Sequence, residues 1–101
     1  MALKQKTAMS RELAQILALQ GLTYLATDGQ RLARFLELTG IAPPELRAWA
    51  ETPRLQTAVL EYLLADESLL LVFASETGCA PDACSKALVM LQADGSSKHE
   101  A

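Results

Sequence analysis

The chain has 101 residues, half of them hydrophobic and 21% charged, with a net charge of -3. That length points to one small domain, and that composition excludes a disordered polymer and argues against a general nucleic-acid binder, which needs an excess of cations. Leu (19) and Ala (17) so outnumber Val plus Ile (5) that helix is favoured over sheet.

Residues 1–9 carry Lys4 and Lys6, show no apolar period and read as a basic flexible arm. The charges mimic the start of a signal peptide, but Glu12, Gln15 and Gln20 interrupt the apolar stretch that should follow. The longest apolar run, from Leu69 to Ala74, is six residues. A membrane span needs about 20. The expectation is a soluble, cytoplasmic protein with no membrane partner.

The first helix is predicted from Ser10, its N-cap, to Thr27. Leu13, Ile16, Leu17 and Tyr24 share one face, and Leu19, Leu22 and Leu25 occupy others, so this helix should be central. Asp28 caps a second helix that ends at Thr39, with Gly40 as a left-handed stop. Pro43 and Pro44 start a third, which has Leu46 and Trp49 on its apolar side. Thr52 and Pro53 open the fourth as N-cap and first residue, with a stripe of Leu55, Val59, Tyr62 and Leu63. Asp66 opens the fifth and Gly78 closes it; Pro81 opens the sixth, which carries Leu88 and Leu91 and closes at Gly95. Residues 96–101 form a polar tail. The expected fold is all-α, a six-helix bundle over residues 10–95.

The boundaries recur every 38 residues. Residues i and i+38 are identical at eleven of the 27 positions from Leu17 to Pro43, without a gap. Chance in so Leu- and Ala-rich a chain supplies roughly two or three. The matches include the cap (Asp28/Asp66), the stop (Gly40/Gly78), the starter (Pro43/Pro81), Tyr24/Tyr62 and Phe35/Phe73. The reading is two three-helix copies, about residues 10–50 and 51–93, closing on each other with pseudo-two-fold symmetry. The copies differ where Arg31, Ala33 and Arg34 become Leu69, Leu71 and Val72. The fifth helix is therefore apolar all round. Either it is the central helix, the favoured reading, or Leu69, Leu71 and Val72 form a surface that a partner covers.

Assembled chemistry is sparse. Cys79 and Cys84 align with Ile41 and Leu46, so they read as small core hydrophobes. A helix N-terminus at Cys84 could lower its pKa. The sole histidine, His99, lies in the tail, so no metal site and no Ser-His-Asp arrangement can be built, and no cofactor is expected. Asp66 and Glu67 are adjacent and do not share a helix face; they suit a helix N-terminus. Arg31 to Trp49 looks like a helix-turn-helix in which Arg31, Arg34 and Arg47 could hold phosphate. Against it, the second helix begins Pro43-Pro44-Glu45, which offers bases almost no donors. Residues 51–101 hold three bases and eight acids.

Taken in order, residues 18–26 (ALQGLTYLA), 31–36 (RLARFL), Thr39-Gly40, residues 63–71 (LLADESLLL) and Pro81 resemble a small alphaproteobacterial family classed as a domain of unknown function. The resemblance spans about residues 10–93. The family often has a polar cap before the proline at 43, where this chain has Ala42. The resemblance implies a bacterial cytoplasmic protein of one short domain and carries over no catalytic residue. The reading is thus a non-enzymatic protein-interaction or adaptor module, possible homodimer included; the alternative is a DNA-binding regulator using Arg31, Arg34 and Arg47.

Overall fold

Ser10 stands where the first helical turn leaves amides unpaired, and its hydroxyl accepts the Leu13 amide at 3.0 Å. Helix α1 follows, Arg11–Ala26. The computed structural model describes residues 9–49 and 53–100, and at 45, 48–49 and 94–100 the backbone alone. The later helices are α2 (Gly29–Thr39), α3 (Pro43–Trp49), α4 (Pro53–Leu64), α5 (Glu67–Thr77) and α6 (Ala83–Glu100). Among the described residues every regular element is helical. The basic arm at 1–8, the Thr52 cap, the Trp49 and His99 side chains and Ala101 lie outside this description.

Helices α2 and α5 are cut to the same pattern. Asp28 Oδ1 accepts the amides of Gln30 and Arg31 at 3.0 and 3.3 Å, and Asp66 Oδ1 accepts that of Leu69 at 3.1 Å. Gly40 and Gly78 end the two helices at φ 76° and 77°. There a side chain would clash with its own backbone, so glycine is the natural stop. Each glycine amide donates back to a carbonyl, Leu36 or Ala74, at 2.8 Å. Thr39 and Thr77 donate their hydroxyls to the Phe35 and Phe73 carbonyls, both at 2.9 Å.

Helices α1, α4 and α6 pack on one another most extensively; α2 lies mainly on α1, and α5 mainly on α4. Leu17, Leu25, Leu55, Val59, Leu60, Leu63, Cys84 and Leu91 fill the space between the three central helices. The α1–α4 approach is close because Gly21 has no side chain. A Cβ there would stand 2.8 Å from Val59 Cγ1 and 3.0 Å from Leu63 Cδ1. Two aromatic pairs fasten the outer helices: Tyr24 against Phe73 (ring centroids 5.6 Å apart) and Phe35 against Tyr62 (5.4 Å, edge to face).

Four expectations need correction. A bundle of six comparable helices in two matched triplets does not form. Five helices have 11 to 18 residues, whereas α3 has seven and makes none of the principal helix contacts. Prolines explain the mismatch. Pro43 opens α3 and Pro53 opens α4 only ten residues later, while no proline follows Pro81 to limit α6. The fifth helix is not central either. It buries Leu69, Phe73 and Ala74 but leaves Leu71 and Val72 exposed (48% and 47%), because α1, α4 and α6 already cover one another.

The sixth helix starts later and ends later than expected. Pro81 and Asp82 form a turn, closed by the Ala83 amide on the Ala80 carbonyl at 3.0 Å. At the other end the helix passes Gly95 and runs to Glu100. A glycine stops a helix only where the chain must turn left-handed, and at 95 no such turn is made.

Candidate functional site

Between the start of α2 and the start of α5 the surface opens into a cavity of about 380 Å³. Its lining residues fall into five pairs 38 positions apart. Two pairs are identical, Tyr24/Tyr62 and Asp28/Asp66. Three differ: Gln30/Ser68, Arg31/Leu69 and Arg34/Val72. One wall is thus cationic and the other largely apolar, with a tyrosine on each side.

The cationic wall is partly pre-set. The Arg31 guanidinium lies 5.5 Å from the centre of the Tyr24 ring and 3.8 Å from Asp28 Oδ2. Arg34 has no ion pair or hydrogen bond among the described residues.

A second depression, about 430 Å³, adjoins the first at Tyr24. It runs between α1 and the end of α5 and is lined by Ile16, Leu19, Thr23 and Thr27 on one side and Glu76 and Thr77 on the other. Ile16 and Leu19 are large, exposed and apolar and line this depression together; Leu71 and Val72 on α5 are exposed as well but do not line it. Apolar side chains gathered on one face of a small protein mark a surface that something covers more often than scattered ones do.

The residues singled out from sequence are therefore divided differently. Arg31, Arg34, Leu69 and Val72 come together in one cavity. Leu69, taken as partner surface, is only 7% exposed and belongs to the core, while Leu71 and Val72 remain available. Arg47 stands on α3, exposed, and is not part of the cavity. With seven residues, α3 offers less than two turns of recognition helix.

The cysteines behave as core residues in one case only. Cys84 is fully buried and Cys79 half-buried, and neither is in a disulfide. Burial, then the neighbouring Cys79, pushes the Cys84 thiol up to about 11, opposite to the activation a helix start could have supplied. The sequence does not mark the α1 groove, because α1 carries apolar residues on several faces and periodicity does not say which of them stays open. Its neighbour at Tyr24/Tyr62 was visible as a repeated aromatic, but nothing in one dimension shows that the two rings flank a cavity.

Among the described residues, no group of three or more His, Cys, Asp or Glu side chains could hold a metal ion, and no helix is long and apolar enough to cross a membrane. A family model described as "Protein of unknown function (DUF3572)" matches residues 11–94. No curated protein and no solved structure matches the chain.

Proposed function

The chain belongs to that family of unknown function, and we propose that it is a non-enzymatic docking module that holds an amphipathic segment of another protein in the α1–α5 groove. The observation that carries this reading is the apolar groove itself. It is lined by Ile16 and Leu19, each 39% exposed or more. The charge at its end specifies the occupant further. The Arg31 guanidinium lies over the Tyr24 ring, where the groove ends, so the segment carries an acidic residue beyond its apolar stripe.

The same reading sets the protein in the cytoplasm of a bacterium, alphaproteobacterial as the sequence resemblance implies, and derives its two halves from a duplication. The duplication is supported by the eleven identities at a spacing of 38 and by the matching caps and stops of α2 and α5.

The test is a photo-crosslinking residue placed at position 19 or 23 of the full chain in its source cells. Crosslinks to one foreign segment with an apolar stripe and an acidic end are expected. They should vanish with Ile16→Asp and persist with Val89→Asp, an exposed valine on α6. Equal loss with Val89→Asp would overturn the reading. Crosslinks to a second copy alone would replace it with a homodimer.

A further inference from the structure

We propose that the cavity between α2 and α5 binds a small amphipathic anion: one ring or a short acyl chain bearing a carboxylate or phosphate. This site meets the groove only at Tyr24, and its head group meets Arg34, which does not line the groove, so it does not depend on the docking reading.

Its volume, about 380 Å³, falls within the range of small-molecule sites, roughly 300–1,000 Å³. The polarity of its walls selects the ligand. Leu69 and Val72 supply apolar surface beside Arg31 and Arg34, and Tyr24 and Tyr62 add aromatic surface to the lining. A molecule with an apolar body and a charged head satisfies both walls; a plain anion or a plain hydrocarbon satisfies one.

The sign of the head follows from the charge balance. Asp28 and Asp66 also border the cavity, but each is committed. Asp28 accepts two backbone amides and pairs with Arg31, and Asp66 accepts the Leu69 amide. Asp28 is thus spent on the first turn of α2 and on Arg31, and Asp66 on the first turn of α5, so neither cavity carboxylate pairs with Arg34. Arg34 is the cation without an ion pair or hydrogen bond among the described residues, and so it is the group that meets the anionic head. Arg31, stacked on Tyr24 and paired with Asp28, is held in place beside it.

The experiment is an amide-resolved NMR titration of the full chain with phenylacetate and phenyl phosphate, with benzyl alcohol and inorganic phosphate as comparisons. Saturable shifts confined to residues 28–34 and 66–72 are expected. Both aryl anions should bind about tenfold or more tightly than benzyl alcohol, the effect of one charge-assisted contact, and more tightly than inorganic phosphate. Arg34→Gln should abolish the preference for the anion over the alcohol at an unchanged Tm. Preference for phenyl phosphate over phenylacetate identifies a phosphate head, and the reverse a carboxylate. Equal binding of anion and alcohol, equal binding of inorganic and phenyl phosphate, shifts gathered at Ile16 and Leu19, or an Arg34→Gln variant that behaves as wild type would each overturn the proposal.

Discussion

Helices α2 and α5 have the same length, the same Asp cap, the same left-handed glycine stop and the same buried phenylalanine. Their outward residues differ. Arg31 and Arg34 on one become Leu69 and Val72 on the other, and both pairs line one cavity. Backbone punctuation and the buried ring place a helix, while the residues between are released to build a surface. An asymmetric site has been assembled on nearly symmetric supports.

The strongest way to break this comparison is through the rings. Phe35 and Phe73 are both fully buried, so Phe35→Ala and Phe73→Ala should each cost about 3–5 kcal/mol in denaturant unfolding. Costs differing by more than the spread of that range would show that the two ends are not equivalent. On α5 itself, Leu69→Asp should unfold the chain and Leu71→Asp should leave it folded, because Leu69 is core and Leu71 is surface. Circular dichroism distinguishes the two.

The Gly21 contact is a smaller effect. Gly21→Ala gains roughly 1 kcal/mol of helix propensity but forces Val59 and Leu63 aside, at a cost of about 1–3 kcal/mol, so net destabilisation is expected. In a Val59→Ala background the clash is largely gone and the same substitution should stabilise relative to that background. A double-mutant cycle without this change of sign would mean that the helices do not meet at Gly21.

The caps sharpen the comparison further. Asp28→Ala and Asp66→Ala should each cost about 1 kcal/mol. Asp28→Ala should cost slightly more, because Asp28 accepts two amides and faces Arg31.

The smallest effect is alkaline. The Cys84 thiol is raised from 9.0 to about 11 in the folded chain. Between those pH values the unfolded state has lost a proton that the folded state keeps. Stability from this group is therefore intact below pH 9 and falls as pH rises towards 11. Cys84→Ala should flatten that slope, and maleimide should label Cys79 before Cys84 in the native protein.

Much of the local structure was legible. Ser10, Asp28, Asp66, Gly40 and Gly78 mark helix ends because their chemistry acts on their own backbone, within a few residues. The errors arose where the deciding partner is distant in sequence. Periodicity could not show that α5 would be left at the side of the bundle, since that depends on how well α1, α4 and α6 cover one another. It could not separate Leu69 from Leu71 and Val72 in a run of consecutive apolar residues. Gly95 was read as a stop although its geometry is decided by whether the chain turns there.

The sequence by itself determined that this protein is helical and where most of its helices begin and end, because capping, glycine geometry and the proline ring are local effects. Only the tertiary structure decided which apolar side chains are core and which are surface, and that Arg34 and Val72, 38 residues apart, border one cavity. Burial and site geometry depend on contacts between helices, and residue order along one chain does not specify those until the helices pack.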